Sequence, residues 1–193
     1  MEELIKRNFR HAMDHDLSAA EYEEFTSHMF TKSYDKKSVL FQPGEQARYV
    51  YFILSGSAYS YYVNEEGDKY AVQFAVEGHW ISDQYSFFTE RPSLLYVETI
   101  ESTEVLVLNR EHHSALCENP LFGKYFRILV QNSFVALQYR LVKTNGEDAE
   151  HRYLEFSRLY PHFVHRIPQY LIASFLGIKP QSLSRIRRRL VQG

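Results

Sequence analysis

The stretch Ile167–Leu190 constrains this chain more than any other. Pro168 suits the first position of a helix, where its missing N–H is no loss, and Leu171, Ile172, Phe175 and Leu176 follow at helical spacing. Gly177 fits just past that helix, where a positive φ is wanted. Pro180 opens a second helix, with Leu183, Ile186 and Leu190 as its buried stripe and Gln181, Ser182, Ser184, Arg185, Arg188 and Arg189 off it. A tight turn leading into a polar, arginine-bearing second helix is the helix-turn-helix pattern, in which that helix enters a DNA major groove. The competing reading is a plain helical hairpin with a solvated basic face. Turn, stripe and basic face coincide in one segment, which favours DNA.

The charge distribution agrees. Net charge is only −2, but residues 151–193 hold eight Lys and Arg against one acid, Glu155, so +7 there and −9 on the rest. That asymmetry marks a polyanion-binding C-terminal module on an acidic body. The single cysteine, Cys117, excludes an internal disulfide and any all-cysteine metal cluster within the chain. Glu2, Glu3, Lys6, Arg7 and Arg10 crowd the N-terminus, so no signal peptide is expected. No apolar run is long enough to span a bilayer, so no membrane partner and a cytoplasmic location are expected.

Upstream, residues 1–16 read as a short helix. Ser18-Ala19-Ala20-Glu21 is a capping box opening a second one through about His28. From Ser38 to Asn109 the period changes. Short apolar runs at 39–41, 49–54, 57–63, 70–76, 96–100 and 105–108 are punctuated by Pro43-Gly44, Ser55-Gly56, Asn64–Asp68 and Glu77-Gly78. Such spacing predicts an antiparallel barrel or sandwich. The insertion from Trp80 to Ser93 reads as too polar and irregular for a strand, and marks a ligand pocket. Asn119-Pro120 starts a long helix to about Lys143. Its apolar positions, among them Phe122, Tyr125, Phe126, Leu129, Phe134, Leu137 and Leu141, cover more than one face, which predicts a second copy of the chain as partner. Thr144–Asp148 reads as a hinge, Ala149–Tyr160 as a helix burying Tyr153, Leu154, Phe156 and Leu159, and Pro161 as its end.

The order helix, glycine-punctuated barrel, long helix, hinge and helix-turn-helix resembles the Crp/Fnr superfamily of bacterial transcription regulators. Pro43-Gly44-Glu45, Tyr51-Phe52-Ile53-Leu54-Ser55-Gly56 and Leu176–Ile186 carry the resemblance. It implies an α+β fold: an N-terminal antiparallel β-roll like a cyclic-nucleotide-binding domain with flanking helices (1–118), a long dimerisation helix and hinge (119–146), and a C-terminal helix-turn-helix domain (147–193). It also implies a homodimer on palindromic double-stranded DNA, with RNA polymerase as a further partner. In nucleotide-binding members the insertion carries Gly-Glu and then an Arg-Ser/Thr-Ala phosphate clamp. Here Gly78 precedes His79, and Ser93-Leu94-Leu95 stands at the clamp, with Arg91 the nearest cation. A buried phosphate without its arginine is poorly compensated, so tight cAMP or cGMP binding is not expected. Gly78, His79, Asp83, Tyr85, Arg91, Ser93 and Leu94 are the residues that would line a pocket for an unidentified effector.

No cofactor or metal is expected. His112 and His113 diverge on a helix, and His11 with His15 supplies two ligands only. In the helix-turn-helix, Gln181, Ser182 and Arg185 would face base edges, with Arg185 suited to guanine and Gln181 to adenine. Gln169, Tyr170, Arg187, Arg188 and Arg189 would meet phosphate or keep the module basic, with a structural role beside Ile186 competing for Arg187. Only Val191-Gln192-Gly193 follow Leu190, too few for the β-hairpin wing of many family members. Two other classes compete. One is a ligand-binding module acting through protein contacts, with a degenerate DNA head. The other is a cupin-like enzyme, which would need a metal-binding His on strands where Tyr49–Val76 has none.

Overall fold

The computed structural model describes residues 1–192, the side chains of Asn145, Val191 and Gln192 excepted. What was expected of Gly193 therefore lies outside the described residues. The chain forms two compact units: Met1–Tyr61 with Gln73–Ser133, and Tyr62–Val72 with the chain from Phe134 onward.

In the first unit, α1 (Glu2–Met13) buries Ile5 and Phe9, and Asp14 ends it in the left-handed region at φ 54°. The capping box of α2 (Ala19–Thr26) is complete: Ser18 Oγ accepts from Glu21 N–H at 3.3 Å, and Glu21 Oε2 accepts from Ser18 N–H at 2.8 Å. The strands are β1 (Phe30–Tyr34), β2 (Val39–Phe41), β3 (Tyr49–Ser55), β4 (Ser57–Val63), β5 (Lys69–Val76), β6 (Trp80–Ile81), β7 (Tyr96–Thr99) and β8 (Thr103–Asn109). They make two four-stranded sheets, ordered β1-β8-β3-β6 and β2-β7-β4-β5. Phe41, Tyr51, Ile53, Ala58, Ala75, Val97, Val105 and Val107 fill the interior of the roll. Gly56 turns β3 into β4 at φ 87°; a Cβ there would lie 2.4 Å from Ser102 O, so no larger residue fits.

Two elements correct the sequence reading. β1 was not anticipated, because Phe30–Ser33 are exposed and show no apolar alternation; pairing with β8 makes it a strand. The insertion after Gly78 holds β6 and a helix, α3 (Gln84–Thr89), which buries Phe87 and Ser86.

The outer face of the β3–β8 sheet, with Phe52, Leu106 and Leu108, packs on α1, α2, α4 (Arg110–Glu118) and the start of α5 (Pro120–Gly146). Asn119 caps α5 by accepting from Leu121 N–H at 3.0 Å. Phe122, Tyr125 and Phe126 belong to this core: Phe9 stacks on Tyr125 at 3.8 Å between centroids, and Phe25 meets Phe122 at 5.3 Å. The Tyr125 hydroxyl accepts from Trp80 Nε1 at 2.9 Å and donates to Asn8 Oδ1 at 2.5 Å. Phe122, Tyr125 and Phe126 are at most 7% exposed, so they cannot serve a dimer as expected; their apolar faces are already covered by α1 and α2. Leu129 is partly buried on the same core. Phe134, Leu137 and Leu141 are 58%, 51% and 62% exposed.

In the second unit, α5 continues helically through Thr144 and Gly146, where a hinge was expected. Then come α6 (Ala149–Leu159), α7 (Pro161–Arg166), α8 (Gln169–Leu176) and α9 (Pro180–Gln192). Pro161 ends α6 and also starts α7, a helix the sequence reading passed over. Pro168 is the residue before α8 rather than its first helical position. Tyr153, Phe156, Phe163, Ile167, Leu171, Ile172, Leu176, Leu183 and Ile186 are buried, whereas Leu154, Leu159 and Leu190, expected inside, are 40–44% exposed. Among the described residues no helix is long and apolar enough to cross a membrane.

Candidate nucleic-acid interface and effector segment

The turn between α8 and α9 is built as its residues require. Gly177 sits at φ 64°, its N–H directed to Ser174 O, and Ile178 N–H bonds Ala173 O at 3.0 Å. Leu183 and Ile186 anchor one face of α9 at 1% and 4% exposure. At 100° per residue the opposite face carries Gln181, Ser184, Arg185 and Arg188, and all four are exposed. Ser182 is half-buried and accepts from Arg185 Nη2 at 3.4 Å. Arg189 lies off that face and pairs with Glu150 of α6 at 2.8 Å. Tyr170 is 58% exposed. Gln169 is not placed as expected: its amide donates inward to Val164 O at 3.2 Å, and its carbonyl oxygen is buried. Glu155, the one acid of the basic module, accepts from the Tyr139 hydroxyl and lies 3.7 Å from Lys143.

Sequence reasoning missed two tethers of α8. Ser174 Oγ accepts from Ala71 N–H at 2.9 Å and donates to Lys69 O at 2.7 Å. Arg140 donates to Val72 O at 2.7 Å and lies over the Phe175 ring at 4.4 Å. No local pattern marks these pairs, because their partners lie far beyond a helical turn in sequence, Ser174 and Lys69 being 105 residues apart.

The seven residues expected to line an effector pocket do not converge. Gly78 lies by α1, where its carbonyl accepts from Asn8 Nδ2 at 2.5 Å. Exposed His79 turns back through Nδ1 to Val76 O at 3.2 Å. Tyr85, Arg91 and Leu94 have exposed side chains. Asp83 and Ser93 do meet: Asp83 Oδ2 lies 2.7 Å from Ser93 Oγ and 3.2 Å from Leu94 N. They are 3% and 2% exposed. Elsewhere, Trp80, Phe87, Phe88, His113, Phe126 and Val130 line a small apolar groove partly open to solvent. Burial lowers the His113 pKa to about 4, so the ring is neutral near pH 7. The aromatic residues Trp80, Phe87 and Phe88 were the available signal, hidden by the polar composition around them.

Residues 31–119 match the cyclic nucleotide-binding domain family. No curated protein sequence matches significantly. Solved structures do. FixK2 from Bradyrhizobium japonicum aligns at 18% identity over 85% of each chain, TM-score 0.75. CLP from Xanthomonas campestris, described as a c-di-GMP-responsive global regulator, aligns at 17% identity over 91% of this chain and 92% of its own, TM-score 0.66. A Eubacterium rectale protein assigned to the Crp/Fnr family of transcriptional regulators aligns at 14% identity over 92% and 85%, TM-score 0.69. Residues 31–119 thus resemble a cyclic nucleotide-binding domain, and the chain shares its fold with solved transcription regulators of the Crp/Fnr type.

Proposed function

We propose that this chain is a non-enzymatic, cytoplasmic transcription regulator that binds double-stranded DNA as a homodimer through α9. One observation carries the reading: α9 is buried on the Leu183–Ile186 side and presents Gln181, Ser184, Arg185 and Arg188 outward from a basic module. A long planar cation suits the two acceptors of guanine, and an amide suits adenine. The apolar face of α5 at Phe134, Leu137 and Leu141 is the dimer surface. Two copies of α9 would then lie about 34 Å apart on a palindrome, with RNA polymerase as a further partner on the same promoter.

The cyclic nucleotide-binding domain is read as not using cAMP or cGMP. Ser93 and Leu94 replace the expected clamp, and the nearest buried charge is the carboxylate of Asp83, which would repel a phosphate. The test is selection from random duplexes. The wild-type chain should return a two-fold symmetric sequence, with a binding constant that falls steeply as salt rises. An unstructured pool, or binding indifferent to salt, would refute the reading. Micromolar cAMP binding by calorimetry would refute its second part.

A further inference from the structure

We propose that residues 82–95 are ligated by the chain's own carboxylate, Asp83, so that this segment is held in its folded form without a small anionic effector. The consequence for DNA rests on the function proposed above; the ligation itself does not.

Asp83 stands at the N-terminal end of α3. Its Oδ1 accepts from Ser86 N–H at 3.3 Å, within the helix. Its Oδ2 reaches ten residues on, taking the Ser93 hydroxyl at 2.7 Å and Leu94 N–H at 3.2 Å. A carboxylate that is 3% exposed is costly unless donors surround it, and here backbone N–H groups and a hydroxyl do so. These are the donor types that a phosphate oxygen takes. Ser93 Oγ also accepts from Leu95 N–H at 3.0 Å, so the charge orders the backbone where the sequence leads into β7.

The rest of the segment is closed by the same means. Ser86 Oγ donates to Arg91 O at 2.6 Å and accepts from Ala47 N–H at 2.9 Å. Ser93 N–H donates to Glu45 O at 2.7 Å, and Ser93 O accepts from Gly44 N–H at 3.0 Å. Arg110 donates to Phe87 O at 2.6 Å, Ala47 O at 3.1 Å and Ser86 O at 3.3 Å, and pairs with Glu90 at 3.3 Å. Both ends and the middle of the segment are thus tied to the roll by intrachain groups. An added anion at Oδ2 would meet a like charge and would find these donors engaged.

The experiment uses the full chain, unfolded in guanidinium, refolded and dialysed, with amide hydrogen exchange as readout. The amides of Ser86, Leu94 and Leu95 should exchange slowly in this stripped protein. Millimolar cAMP, cGMP or inorganic phosphate should not slow them further. Asp83→Asn, which keeps the shape and removes the charge, should speed them about tenfold, while Val105 and Val107 in the roll stay protected. Ser93→Ala, a smaller change, should speed Leu94 and Leu95 alone and serves if the Asp83 variant does not fold. Fast exchange in the stripped wild type, or protection only with one of those anions, would overturn the proposal. Duplex affinity should be equal before and after stripping, and a loss restored by an added nucleotide would also overturn it. If neither sample binds duplex DNA, the functional reading fails, and the exchange data still decide whether Asp83 ligates the segment.

Discussion

The segment around α3 and the helix α9 are both short, both polar, and opposite in design. In residues 82–95 three polar side chains face inward: Asp83, Ser86 and Ser93 are buried, with Asp83 taking Ser86 N–H, Leu94 N–H and the Ser93 hydroxyl, and the Ser86 hydroxyl donating to Arg91 O. In α9 they face outward: Gln181, Ser184, Arg185 and Arg188 are exposed while Leu183 and Ile186 hold the helix down. A buried polar group that is satisfied internally adds order; an exposed one adds chemistry for a partner. The first region is therefore closed and the second open. The same division runs along α5, whose Phe122–Phe126 turn is covered by α1 and α2, while Phe134, Leu137 and Leu141 are bare.

That comparison breaks first, and most visibly, on α5. Phe122→Ala should cost about 3–5 kcal/mol of stability, because a fully buried ring leaves a cavity between Phe9 and Phe25. Phe134→Ala should cost the protomer well under about 1 kcal/mol, while lowering the dimer fraction in sedimentation. Equal losses of thermal stability in the two variants would show that the two halves of α5 do not differ in this way.

The next effect in size is at the closed segment. Asp83→Ala removes the acceptor for Ser86 N–H, Leu94 N–H and the Ser93 hydroxyl. Denaturant titration should show a loss of about 1.5–3 kcal/mol, the range for hydrogen bonds to a charged group. Tyr85→Ala, on an exposed neighbour, should change little. A cost below about 0.5 kcal/mol at Asp83 would mean that its donors find water as readily.

Arg185→Ala tests the open side. It leaves stability unchanged, since the side chain is exposed, and should lower affinity for the preferred duplex by about 1–3 kcal/mol while flattening base preference at one position of each half-site. An unaltered preference in the selected pool would remove Arg185 from the base-reading face.

How much of this was legible follows from range in sequence. The α8–α9 turn is encoded within a few residues by Pro168, Gly177, Pro180 and a 3.6-residue period, and it folds as read apart from Pro168, which precedes α8, and Leu190, which is exposed. The closed segment depends on Asp83 meeting Ser93, a pairing that no periodicity announces. Gly78, His79, Tyr85 and Arg91 are near it in sequence only, and Leu94 joins it through its backbone N–H while its side chain is exposed. Strand β1 is illegible for the same reason: Phe30–Tyr34 become a strand only against Thr103–Val107. On α5 the apolar positions were legible and their neighbours were not, since a stripe states that something covers it without stating what.

The smallest expected effect separates two roles on α9 itself. Arg189 was expected to contact phosphate, yet it is 2.8 Å from Glu150, with both partners near the surface. An exposed ion pair of this kind contributes about 0–1 kcal/mol, so the guanidinium can exchange Glu150 for a phosphate at little cost. Arg189→Ala should then weaken binding to all duplexes alike and reduce the salt slope by about one. Glu150→Gln should do the reverse: it removes a competing anion and raises nonspecific affinity by a few-fold, about 1 kcal/mol at most, without altering base preference. Both shifts should fade as salt rises and screens the exposed charges. If Glu150→Gln instead lowers affinity, the pair is needed to hold α9 against α6, and Arg189 belongs with the closed groups of the molecule.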